Sequence, residues 1–128
     1  MGAVVGGREL RLTRAELKGL LEKTQFAMAQ QDVRYYLNGL LIDANPKRIR
    51  AVATDGHRLA FSERVGETGL NDAVQAILPR KSVLEMSRLL DNSDTEVRVI
   101  LGQGQVQVDI DVVRLTTKTI DEIGRAHV

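Results

Sequence analysis

The sequence predicts an α+β domain: two helices packed on antiparallel sheets, arising from a strand–helix–meander unit used twice. Two observations predict it. Apolar residues recur at helical spacing in two separate stretches, each followed by runs in which apolar and polar residues alternate. The helical stretches also align with one another: "LPRKSVLEMSRL" from Leu78 lies over "LTRAELKGLLEK" from Leu12. Pro79 falls on Thr13 and Arg80 on Arg14, while Val83, Met86 and Leu90 fall on Leu17, Leu20 and Thr24. Duplication is preferred here over chance similarity of two amphipathic helices.

Thr13-Arg14-Ala15-Glu16 reads as a capping box, so a helix is predicted from about Arg14 to Gln30, burying Leu17, Leu20, Leu21, Thr24 and Met28. Phe26 falls nearly opposite that stripe, so either it packs on a neighbouring domain or the helix ends before it. Tyr36 to Asp43 is a mostly apolar run read as a strand, closed by the turn signal Asn45-Pro46. Ile49, Ala51 and Ala53 alternate with Arg48, Arg50 and Val52, a strand with one buried face. Asp55-Gly56 is a hairpin dipeptide, Leu59 to Arg64 the returning strand, and Gly66 to Asp72 a loop. The second helix starts near Pro79, a residue suited to a first turn. Val97, Val99 and Leu101 alternate next, then comes the turn Gly102-Gln103-Gly104, then Val106, Val108 and Ile110. A last strand is predicted from about Val112 to Thr119.

At 128 residues and 43% hydrophobic content, the chain has enough material for one domain with a real core. Net charge is +1, so any affinity for nucleic acid has to come from local arrangement. There is no cysteine, which excludes disulfides, thiolate catalysis and cysteine-type zinc sites. With 3% aromatic residues, a stand-alone single-strand binder based on base stacking is disfavoured. No apolar run approaches membrane-spanning length. The terminal "IGRAHV" matches one reading frame of a widely used sequencing adapter, so residues 122–128 are expected to be non-native and the chain a piece of a longer protein. Residues 1–8 are read as linker or added sequence.

The densest group of reactive side chains is "VATDGHRLAF", Val52 to Phe61. A small hydrolase could use His57 as base with Asp55 as its orienter. Gly56 stands between them in a tight turn, however, which points the flanking side chains in different directions. No serine sits in a Gly-x-Ser-x-Gly context, and no carboxylate pair at helical spacing accompanies the histidine as a metal site would need. Gly102-x-Gly104 is a hairpin and not a phosphate loop. On the residues alone, Asp55-Gly56 makes a turn, His57 and Arg58 point outward, and Leu59 and Phe61 help fill the core. No cofactor, metal or catalytic residue is expected.

Four stretches carry a family resemblance: "QFAMAQQDVRYYLNGLL" (Gln25 to Leu41), "VATDGHRLA" (Val52 to Ala60), "LPRKSVLEMSRLL" (Leu78 to Leu90) and "TTKTID" (Thr116 to Asp121). Over residues 9–121 the chain resembles the middle domain of the bacterial sliding clamps, the β subunits of DNA polymerase III. The resemblance implies a processivity-fold domain and a non-enzymatic role in DNA replication. In that family a head-to-tail dimeric ring encircles duplex DNA and tethers the polymerase, which implies a cytoplasmic, nucleoid-associated protein. It also implies a hydrophobic pocket for short linear peptides of polymerases, the clamp loader and other partners. On that resemblance Leu37, Thr54, Gly56, His57, Arg58 and Leu59 would line the pocket, with Leu37 on a neighbouring strand. Gln31, Tyr35, Tyr36, Arg80 and Lys81 would face duplex DNA without reading its sequence. The chain lacks the flanking domains that close the family's ring, so by itself it is expected to be monomeric.

Overall fold

The computed structural model describes residues 7–120. The order of elements is β1 (Arg8–Thr13), α1 (Arg14–Glu22), β2 (Gly39–Asn45), β3 (Arg48–Thr54), β4 (Leu59–Val65), β5 (Val74–Pro79), α2 (Arg80–Leu89), β6 (Glu96–Leu101), β7 (Gln105–Ile110) and β8 (Val113–Lys118). Each half is therefore a strand, a helix and a three-stranded meander, as the internal repeat predicts. The expectations for residues 1–6 and 121–128 lie outside the described residues.

The leading strand of each half pairs with the other half. One sheet runs β1-β6-β7-β8 and the other β4-β3-β2-β5, all antiparallel. Strand β1 runs alongside β6 from Arg8↔Leu101 to Thr13↔Glu96, and β5 alongside β2 from Gly39↔Pro79 to Ala44↔Val74. Alone, each meander would expose an unpaired edge, and each leading strand would have no ladder partner. The outer edges of β1 and β5 are each met as well: Arg11 N donates to Thr68 O at 2.7 Å, and Ile120 N to Ile77 O at 2.9 Å. Arg14, nearly buried, adds a side-chain tie across the halves, with Nη2 at 2.7 Å from Asp111 Oδ1 in the β7–β8 turn.

The capping box forms as read: Glu16 N donates to Thr13 Oγ1 at 3.1 Å and Thr13 N to Glu16 Oε1 at 2.8 Å. Helix α1 is shorter than predicted, ending at Glu22 instead of Gln30. Thr24 is the reason. Its buried hydroxyl donates to Leu20 O at 2.8 Å, the carbonyl its own amide would use, and that amide turns to Leu21 O at 3.2 Å. A 3₁₀ turn at Gln25–Ala27 follows, placing Phe26 at the surface, 57% exposed. The strand predicted from Tyr36 begins three residues later, because Tyr35–Leu37 forms a second 3₁₀ turn. The last strand starts at Val113, since Asp111 (φ 54°) and Val112 make the β7–β8 turn.

Both helices and the inner sheet faces share one core, in which Leu21, Leu40, Ile49, Val83 and Met86 are almost fully buried. The placement of Leu59 and Phe61 corrects the sequence reading, because both are on the surface, 64% and 60% exposed. Register explains it. Ala53 pairs with Ala60 and Val52 with Phe61, so once Ile49, Ala51 and Ala53 face inward, Leu59 and Phe61 must face out. An apolar row results on the outer side of the sheet: Ile77, Leu41, Val52 and Phe61 lie on adjacent strands. Leu21→Ala should lower unfolding free energy by about 2–5 kcal/mol through an unfilled core site, while Leu59→Ala should stay within about 0.5 kcal/mol. Urea denaturation checks both, and equal losses would contradict this placement of the core.

Candidate functional site: the β3–β4 turn and the loop beside it

The turn from Thr54 to Leu59 satisfies its own polar groups. Asp55 Oδ1 accepts from His57 N at 2.9 Å and from Arg58 N at 3.1 Å, and Oδ2 accepts from Arg58 Nε at 3.2 Å. Thr54 Oγ1 donates to Arg58 O at 2.6 Å and accepts from Gly56 N at 3.1 Å. Gly56 has φ +92°, a conformation other residues adopt only with strain. With its carboxylate committed to the turn's own amides and to Arg58, Asp55 does not orient an imidazole. His57 is exposed at the tip. Among the described residues no group of three His, Cys, Asp or Glu side chains is placed to hold a metal.

Side chains from an adjoining loop complete the surface. Arg58 Nη2 donates to Phe26 O at 3.1 Å, and the guanidinium stands 5.2 Å from the Phe26 ring centroid, within cation–π range. Arg34 lies against Gly56, so that a Cβ there would be 2.9 Å from Arg34 Nη2. Asp32 holds Arg34 by accepting from its N at 2.8 Å and from its Nε and Nη2 at 3.0 Å each. That guanidinium keeps the Asp32 carboxyl below its ordinary range. Leu37 is buried, and it sits in the 3₁₀ turn before β2 instead of on a strand. Its N donates to Arg34 O and its carbonyl accepts from Ala29 N, both at 2.9 Å. Thr54, Gly56, His57, Arg58 and Leu59 thus form one continuous turn, exposed from Gly56 onward, with Leu37 behind its supporting loop.

The residues expected to face DNA fall in two places joined by one hydrogen bond. Gln31 is exposed on the loop, while Tyr35 and the half-buried Tyr36 belong to the second 3₁₀ turn. Arg80 and Lys81 open α2, and Arg80 N donates to Asn38 O at 3.0 Å. Pro79, the N-cap, offers no side-chain hydrogen bond to the first turn. Sequence reasoning missed Phe26, Asp32, Arg34 and Asn38 as parts of this region. The signal available was Phe26, apolar yet off the helix stripe.

The turn's amides, and then Arg58, hold the Asp55 carboxyl below its ordinary value. A depressed folded-state value means the stabilisation is complete above the unfolded value, about pH 4, and is lost as pH falls through the lowered one. Wild type should therefore melt above Asp55→Asn at pH 7, and the gap should shrink on acidification below about pH 4. Calorimetry across that range checks this, and a pH-independent gap would contradict it.

Residues 11–123 match the family described as DNA polymerase III beta subunit, central domain. The chain is 43% identical over 116 residues to the "Beta sliding clamp" of Pseudomonas aeruginosa, covering 91% of this chain and 32% of that protein. It is 44% identical over 114 residues to that of Escherichia coli K12, covering 88% and 31%. Among solved structures, the DNA polymerase III subunit beta from P. aeruginosa superposes with a TM-score of 0.88 at 41% identity, over 94% of this chain and 33% of the other. The DNA polymerase sliding clamp from Bacillus subtilis shares the fold with a TM-score of 0.84 at 23% identity, covering 94% and 32%. The chain spans about a third of the length of the curated relatives it matches. By its sequence and by its fold, the chain belongs to the family of DNA polymerase III beta subunit central domains, the central domains of bacterial sliding clamps.

Proposed function

We propose that this domain works by holding, as part of a ring that encircles duplex DNA and tethers the replicative polymerase, and that the β3–β4 turn docks short peptides of polymerases and the clamp loader. The observation that carries this reading is the exposure of Leu59 and Phe61 beside a turn that already satisfies its own polar groups. Large apolar side chains held in water next to a rigid rim favour an anchored peptide. Leu59, Phe61, Phe26 and the stem of Arg58 supply apolar surface, while Thr54, Gly56, His57 and Arg58 form the rim. Gly56 lets a backbone come close. Leu37 contributes from behind, by supporting the loop that carries Arg34.

The geometry favours binding over hydrolysis, because the Asp55 carboxylate, the candidate orienter of His57, is occupied by the turn. Gln31, Tyr35, Tyr36, Arg80 and Lys81 form the DNA-facing set of this reading. Arginine and lysine at the start of α2 suit phosphates, and phosphate contacts carry no sequence information, as sliding requires. Among the described residues no helix is long and apolar enough to cross a membrane. A cytoplasmic, nucleoid-associated location belongs to this reading.

A peptide with leucine and phenylalanine anchors should shift the amide signals of Thr54 to Leu59 in a heteronuclear NMR titration. Leu59→Ala and Arg58→Ala should each weaken binding about five- to thirtyfold with the melting profile retained, and unchanged affinity in both would overturn the pocket. For DNA, Lys81→Ala should weaken binding equally for unrelated duplexes and reduce the salt slope by about 1. Fluorescence anisotropy over a salt series measures this. A loss confined to one sequence would contradict non-specific phosphate contact.

A further inference from the structure

One side chain ties the loop that carries Arg34 to Gly56 back onto its own base. Asp32 N donates to Asn38 Oδ1 at 3.0 Å, and Asn38 Nδ2 donates back to Asp32 O at 3.1 Å. Only a planar amide offers an acceptor and a donor side by side to match both backbone groups of one residue. Aspartate at this position would lose the donor and set an oxygen against the Asp32 carbonyl. Glutamine would overreach by one methylene. Asn38 is itself held from both sides. Its carbonyl accepts Arg80 N at the start of α2, and the next residue, Gly39, lies so close to β5 that a Cβ would be 2.5 Å from Leu78 O.

From Asn38 the contacts run outward without a gap. The amide grips the Asp32 backbone, the Asp32 carboxylate grips Arg34 by three hydrogen bonds, and the guanidinium covers Gly56 in the turn. We propose that Asn38 is a positioning residue: through Asp32 and Arg34 it holds the β3–β4 turn in the shape that presents Arg58 and Leu59 to a peptide, and it ties that turn to the start of α2. This rests on the peptide-docking reading above. Asn38 touches no ligand in it. Its effect is to hold Arg34, and with it the turn, in one place before a peptide arrives.

The test is a double-mutant cycle on this chain, read by NMR and by affinity for the same leucine- and phenylalanine-anchored peptide. Asn38→Ala should move the Gly56 and His57 amide signals while leaving those of Val97 to Leu101 in place. It should weaken the peptide about fivefold, the scale of one net hydrogen bond. Arg34→Ala, at an exposed site where folding is not in question, should move the same two amides. The double variant should bind no more weakly than the weaker single one, since both act through one chain of contacts. The proposal is overturned if either single variant leaves the Gly56 amide and the affinity unchanged while Leu59→Ala weakens binding, or if the two effects add. Should Asn38→Ala fail to fold, Arg34→Ala alone decides by the same readouts. If Leu59→Ala also leaves affinity unchanged, the docking reading itself is wrong and the inference falls with it.

Discussion

The exchange of leading strands between the two halves is the constraint on which the rest depends. Strand β1 completes the meander of the second half and β5 that of the first. Backbone groups in a sheet have to be paired or wetted, so neither half can close its sheet with its own strands. The two copies of the repeat therefore fold as one cooperative unit, with Arg14 of the first half clasping the Asp111 turn of the second. The same exchange fixes where everything else sits. Pairing β5 to β2 brings the start of α2 next to the loop that precedes β2, and Arg80 N reaches Asn38 O.

That placement joins the two surfaces of the proposed function. The loop from Met28 to Asn38 supports the β3–β4 turn on one side and meets α2 on the other. The turn is preorganised by short-range bonds that Asp55 and Thr54 make to amides and carbonyls within four residues. A rigid rim beside exposed leucine and phenylalanine keeps the ordering cost low for the peptide docking proposed above. The outward phase of β4 matters as much. One residue of slip would turn Leu59 and Phe61 inward together with Glu63, and leave Ala60, Ser62 and Arg64 on the outer face.

The cap at Thr13, the buried stripe Val83, Met86 and Leu90, the Gly102–Gly104 hairpin and the alternation of β3 and β7 were all legible from local pattern. So was the turn at Asp55-Gly56, since its chemistry is confined to neighbouring residues. The loss of the last two turns expected of α1 was not legible. It follows from burial of Thr24, whose hydroxyl then has only helix carbonyls to bond. The orientation of β4 was not legible either, because Leu59, Phe61 and Val65 share one face by period, interrupted only by Glu63. Only the register with β3 shows that this face is the outer one. Arg34 and Asn38 went unseen for the same reason, as their partners lie across loops or on another element.

The sequence by itself determined the repeat, the class of each main element, the turn at the proposed site and the family to which the chain belongs. These follow from spacing, capping and turn chemistry, all interactions within a few residues of one another. Tertiary structure alone decided which strand pairs with which half, which face of β4 meets water, and how Asn38 and Arg34 brace Gly56. Those outcomes depend on long-range backbone pairing and on the shared burial of distant side chains. Such constraints leave no periodic mark on the segments they join.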